Sequence, residues 1–271
     1  MRRTLIAYFA VLLAGLSCLA LAAETSVSLP APNAVLFGLH EAPVTVIEPH
    51  RSTALKPVEV TYKGFPAVPL LDALLGTQWR SGEALIGFEA KDGYLSMIPA
   101  AQLLRYPAYL VYARADGDDF SLETPPLNNR VPLGPWYLVW DNVLHSNLQA
   151  DGATYWPYQV EKIGLVSAPS KAKLFPAMLP ERYRDGAVLT EKYCLSCHQV
   201  NGVGGRKMPI DLGQWTANQS FARFATWVLD PSGKNPLTAM PPLAPERPAS
   251  ERQLMARQIY GYLRAIGALD K

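Results

Sequence analysis

Cys194-Leu195-Ser196-Cys197-His198 is the stretch on which the reading of this chain turns. Two thiols two residues apart, followed at once by an imidazole, form the attachment pattern for a c-type haem. Each thiol can add to one vinyl group of the porphyrin, and the adjoining His then reaches the iron from one side. Two other chemistries use paired cysteines: a redox disulfide of the thioredoxin type, and half of a zinc site. Zinc would need two more ligands nearby, and after Tyr155 the chain has no Cys or His outside this motif. The expectation is therefore one covalently bound haem c, with thioethers at Cys194 and Cys197 and His198 as the proximal iron ligand.

The flanking sequence is organised around the motif. Glu181 to Tyr193 reads as an amphipathic helix leading into it, with Gly186 eight residues before Cys194. Gly202-Val203-Gly204-Gly205-Arg206-Lys207-Met208-Pro209 is a Gly-rich loop ending in proline. Phe221, Phe224, Ala225 and Val228 recur at i, i+3, i+4 and i+7 behind the candidate cap Asn218, one face of a short helix. A Pro-rich loop with Thr238-Ala239-Met240-Pro241-Pro242 at its centre follows. The last helix is expected to open on the capping box Ser250 to Gln253 and to bury Leu254, Ile259, Leu263 and Ile266 before Gly267. Met178 and Met255 read as core filler.

Over about residues 180 to 269 these features resemble a class I cytochrome c domain. The resemblance implies an all-α fold in which the last helix crosses the first near Gly186. It also implies that the Pro209 carbonyl orients His198 and that Met240, about forty residues past His198, is the distal iron ligand. A thioether on a loop stiffened by prolines reaches iron at little entropic cost. Met208 is the rival, but it lies only ten residues past His198. Thr190 departs from the family, where an aromatic is common. Iron with His and Met ligands has no open position, so the implied activity is electron transfer.

The chain has 271 residues with 49% hydrophobic content, enough for one or two domains with a sizeable core. Its 25 basic residues face 23 acidic ones, and two of the basic residues are Arg2 and Arg3. Without a concentrated basic face, nucleic acid is excluded as the main partner. Residues 1–23 read as a signal peptide: the basic start, an apolar run from Leu5 to Ala22, and the small-x-small site Ala20-Leu21-Ala22. An uncleaved anchor, a lipoprotein site at Cys18 and twin-arginine export are the competing readings, and membrane attachment is expected only if the segment is retained. Haem is attached outside the bacterial cytoplasm to an unfolded chain, which favours general secretion into the periplasm.

Residues 24–173 form the other expected domain, separated from residues 174–271 by a linker at Ser167 to Lys173. They hold 11 basic against 15 acidic residues, a balance of −4; residues 174–271 hold 12 against 8, a balance of +4. Opposite signs suit halves that pack together or that face different partners. Short β patterns run over Val44–Ile47, Val58–Tyr62, Ala84–Glu89, Tyr94–Ile98, Tyr109–Ala113, Trp136–Trp140 and Tyr158–Val166. Asp92-Gly93 marks a hairpin. Pro69 to Leu75 and Pro99 to Leu104 read as short helices.

Gly64 to Leu71, Lys91 to Pro99, Gly134 to Val139 and Trp156 to Val166 occur in an order that resembles the sulfite-oxidase-like molybdopterin-binding domain. The fold class expected is thus an N-terminal α+β domain of that type, with mixed sheets and short helices, joined to a C-terminal all-α cytochrome c domain. Enzymes of that family that bind molybdenum through the protein use a cysteine thiolate. No Cys lies between Glu24 and Tyr193, so no molybdenum is expected. His40, His50 and His145 read as isolated, Asp116, Asp118 and Asp119 as a solvated turn, and Trp136, Trp140 and Trp156 as core; Arg130 and Trp136 are the side chains available to a pterin-like pocket.

The leading expectation is an exported monohaem electron carrier whose N-terminal domain docks or positions it. Its partners would be redox proteins: a dehydrogenase donor, or a cytochrome or oxidase acceptor. The alternatives are an oxidoreductase holding a pterin or other organic cofactor in residues 24–173, and a gas sensor in which Met240 leaves the iron.

Overall fold

Short runs, most of them rich in β-branched and aromatic residues, fold residues 26 to 165 into two antiparallel four-stranded sheets. The first places its strands in the order Ser26–Ser28, Val160–Leu165, Leu85–Ala90, Leu95–Pro99. The second runs Tyr137–Trp140, Ala108–Arg114, Glu59–Pro66, Ala42–Ile47. The two-residue period is plain in Ala42–Ile47, where Val44 and Val46 are buried and Thr45 between them is exposed. Helices Ala67–Leu75 and Ala100–Arg105 each start behind a proline, Pro66 and Pro99, whose fixed φ suits the entry to a helix. This computed structural model describes residues 26–53, 55–81, 83–124 and 129–269; the signal segment expected over 1–23, with Cys18, lies outside them.

The buried side chains form two clusters. The first gathers Val46, Phe65, Leu70, Leu71, Trp79, Ile86, Phe88, Trp136 and their neighbours from residues 44 to 163. The second comes mainly from residues 174 to 266 and includes Leu195, Phe224, Ile259, Tyr262 and Leu263. Met97, on the strand Leu95–Pro99, belongs to this second cluster, so the first sheet contributes a side chain to the core of the other half.

The expected fold class does not hold. The architecture is mixed, and the C-terminal region is not an all-α cytochrome domain. Directly after the cysteine motif, Gln199–Val200 pairs with Val203–Gly204 in an antiparallel hairpin. Its turn is Asn201-Gly202, with φ of 51° and 74°. Two consecutive positive φ values are what a type I′ turn requires, and Asn-Gly adopts them at least cost, so this pair forces a β hairpin where helices and loops were expected. The helices around it are short, and only Ala249–Ile266 exceeds ten residues.

Smaller corrections follow from capping and periodicity. The segment expected as a linker is a helix, Ala168–Leu174, because the Ser167 hydroxyl accepts the Ser170 N–H and a proline sits in the first turn. Helix Phe221–Leu229 is capped by Ser220, not by Asn218. Ala249–Ile266 has no side-chain cap, and it buries Met255, Ile259, Tyr262, Leu263 and Ile266 while Leu254 is exposed. Met178, read as core filler, is exposed as well.

Candidate functional site

Helix Arg184–Tyr193 delivers the cysteine motif, and it is fixed by crossing Ala249–Ile266 at Gly186. A Cβ at Gly186 would lie 2.2 Å from the Gln258 carbonyl oxygen, so only glycine permits the crossing. Thr190 is fully buried, and its hydroxyl donates to the Gly186 carbonyl at 2.7 Å, which satisfies it without a side-chain partner. Beyond the helix the chain winds tightly. The N–H groups of Cys194 and Leu195 both reach the Thr190 carbonyl, and His198 N–H donates to Cys194 O at 3.0 Å. Leu195 plugs the second core, while Cys194, Cys197 and His198 stand half-buried.

The backbone around His198 orients the imidazole. Its Nδ1 lies 3.0 Å from the Met208 carbonyl, which also accepts the Ile210 N–H at 2.7 Å. The orienting carbonyl is thus that of Met208, one residue before the expected Pro209. A carbonyl has no hydrogen to give, so Nδ1 must carry the proton, which leaves the Nε2 lone pair for a metal. Burial pushes the His198 pKa down, partly offset by the Met208 carbonyl, and this favours the neutral, ligating form.

Gly204 and Gly205 let the loop pass against the motif. A Cβ on Gly204 would lie 2.2 Å from His198 O, and one on Gly205 would lie 2.0 Å from Ser196 O. Met208 N–H closes the loop by donating to Cys197 O at 2.9 Å.

Cys194 and Cys197 are free thiols. Burial, with Cys197 adding repulsion, pushes the Cys194 thiol up to about 12, and burial also raises Cys197. Reactive redox cysteines have lowered pKa values, and both thiols here are shifted the other way. Among the described residues no three His, Cys, Asp or Glu side chains gather as a metal cage. Two neutral thiols beside one oriented, bare imidazole nitrogen form a donor set that fits a covalently held haem. Met240 is half-buried on the Pro-rich loop, its N–H donating to Thr238 Oγ1 at 3.1 Å. It shares with Cys194 only the second hydrophobic cluster, against which both pack. The hydrogen bonds thus bring Cys194, Cys197, His198 and Met208 together, while Met240 stands on a separate loop.

The N-terminal half reaches into this site through the hairpin of Leu85–Ala90 and Leu95–Pro99. Leu95 N–H donates to Ser196 O at 2.8 Å, inside the cysteine motif, and Arg206 N–H donates to Gly93 O at 2.7 Å. Lys207 pairs with Asp92 at 2.8 Å, and Arg206 with Glu89 at 2.6 Å. At a second contact Asp151 holds Lys192 at 2.7 Å and Arg247 at 2.9 Å. Burial raises the Asp151 pKa, but the hydrogen bonds from Lys192 and Arg247 outweigh it and hold the carboxyl below its ordinary value. All of these ion pairs join an acid of the negative half to a base of the positive half.

The N-terminal half also contains a polar cluster that sequence reasoning missed. Glu48 is fully buried and accepts from Tyr62 Oη at 2.7 Å, Tyr137 Oη at 3.0 Å and the His50 backbone N–H at 3.1 Å, with His50 Nδ1 at 2.9 Å. Burial raises its pKa, but His50 and Tyr62 outweigh that and hold the carboxyl low. His50 is therefore not isolated. Nearby, Arg51, Arg114 and Arg130 line a cleft of about 480 Å³ together with Asp118, Asp119 and Glu123. Arg114 is paired with Asp116 and Asp118, and Arg130 with Asp119. Trp136 does not line this cleft; it is fully buried, with its indole N–H on Pro30 O. Among the described residues no helix is long and apolar enough to cross a membrane. No known protein family matches the chain, and no curated protein matches it.

Proposed function

We propose that this protein is an exported electron carrier that holds one covalent haem, with Cys194 and Cys197 as its attachment points, His198 as proximal iron ligand and Met240 as distal ligand. The observation that carries the reading is the oriented imidazole directly after the two cysteines: His198 Nδ1 is committed to Met208 O, so Nε2 is the nitrogen left for iron. Haem, when bound, supplies a one-electron iron couple.

The chain's own residues hold and tune that couple. The Met208 carbonyl raises the basicity of the imidazole through its hydrogen bond, and Pro209 restricts the backbone of the residue that carries the carbonyl. Met240 as sixth ligand would fill the remaining iron position and raise the potential relative to a second His. The N-terminal half serves as a docking and positioning part, consistent with its grip on Ser196 and Arg206. Export to the periplasm and transient contacts with redox proteins complete the proposal.

The test is expression of the mature chain with a haem-attachment system, followed by absorption spectra and metal and pterin analysis of one sample. The expected result is one covalent low-spin haem with a Met-to-iron band and no molybdenum or pterin. In Met240→Ala the haem should stay attached while that band disappears; an unchanged band would assign the distal position to another residue. A second cofactor would move the chemistry into residues 24–173.

A further inference from the structure

The segment whose carbonyl orients His198 is held from two sides. On one side Met208 N–H donates to Cys197 O within the motif. On the other side the tip of the N-terminal hairpin presses on Arg206 and Lys207. Gly93, at φ +85°, accepts the Arg206 N–H at 2.7 Å, and a Cβ on Gly93 would lie 3.1 Å from the Arg206 carbonyl carbon and 3.2 Å from Lys207 N. Asp92 pairs with Lys207, and Leu95 N–H holds Ser196 O. The ion pair is part-exposed and adds little by itself. The two interlocking backbone bonds set the position of the loop. Residues some hundred positions earlier in the chain thus fix where the Met208 carbonyl stands.

Resting on the haem reading above, we infer that Asp92 and Gly93 are positioning residues for the proximal imidazole, acting through Arg206–Met208 on the His198 Nδ1–H bond. Loosening this clamp lengthens that bond and makes the imidazole a weaker donor to iron. The oxidised state is then less stabilised, and the reduction potential rises.

The test uses the full mature haem protein and two readouts, the midpoint potential and the solvent exchange of the His198 Nδ1–H in the reduced protein by NMR. Gly93→Ala pushes the loop without changing any charge; the expected result is a higher potential and faster Nδ1–H exchange. Gly117→Ala is the matched control, since Gly117 has φ +80° but nothing within 4 Å of an added Cβ. It carries the same backbone strain and should leave both readouts unchanged. Asp92→Ala combined with Lys207→Ala removes the ion pair at constant net charge, and keeps the test in hand should Gly93→Ala fail to fold; it should move both readouts in the same direction, by less. Potentials and exchange in the Gly93 and paired variants equal to those of the control would overturn the inference. Failure of the haem reading is separate: the unmodified protein would then show no covalent low-spin haem at all.

Discussion

Among the described residues, the core of 26–165 encloses a single fully buried charged side chain, Glu48, and surrounds it with hydrogen bonds from Tyr62, Tyr137 and His50. The core around the cysteine motif is made differently. It relies on backbone passing against backbone at Gly186, Gly204 and Gly205, takes Met97 from the other half, and leaves Met208 and Ile210 exposed beside His198. The first core is set apart by its satisfied buried charge, although it has one close backbone passage of its own, at Gly64 against the Leu110 carbonyl; the second depends more on close fit. Removing one partner should be the most damaging change in the first, and adding volume the most damaging in the second.

The largest effect is expected at Glu48. Glu48→Ala strands the buried Tyr62 hydroxyl and the His50 N–H and leaves Tyr137 Oη and His50 Nδ1 only each other, at 3.2 Å; it should cost about 3–5 kcal/mol in urea unfolding. A loss below about 1 kcal/mol, the scale of an ordinary exposed ion pair, would mean that this core does not depend on its buried charge. Next comes Gly186→Val, which drives atoms into the Gln258 carbonyl and should cost about 1–3 kcal/mol, with the helix crossing as the site of damage. An unchanged melting temperature would show that the crossing tolerates separation and would weaken the contrast.

The smallest effect sits where the two cores meet. Asp151 has its pKa held below the ordinary 3.8, so its contribution is fully present above that value and is lost as pH falls through its folded pKa. Asp151→Asn should therefore lower stability by about 1–2 kcal/mol at neutral pH. The gap between variant and parent should close below about pH 4. A gap that stays constant down to pH 2 would assign the loss to packing and not to charge.

Much of this organisation is legible in the residues. Seven of the eight strands of the two sheets follow from runs rich in Val, Ile and aromatic residues, while Ser26–Ser28 is too short to show one; the haem proposal rests on the spacing of the cysteine motif. Gly186 marks a close contact because nothing larger fits there. The β hairpin after the motif carries its signal in Asn201-Gly202, but its arms are two residues each, too short to show alternation. The Glu48 cluster has no local signature, since its partners Tyr62 and Tyr137 lie 14 and 89 residues away. Opposite net charges suited contact between the halves, yet formal charge cannot choose which acid meets which base. The Met208 carbonyl replaces that of Pro209 by one residue, a distinction set by the path of the loop and not by composition.

Hairpin tips usually accept inserted residues, because they project into solvent and touch little. Asp92-Gly93 is a tip of the common kind by sequence, but its carbonyl is bonded to Arg206 and its carboxylate to Lys207. Lengthening it by even one residue would displace a loop in the other half of the chain. For anyone seeking a place to graft a tag or a peptide, the open turn at Gly117 is the permissive position, and the one at Gly93 is closed.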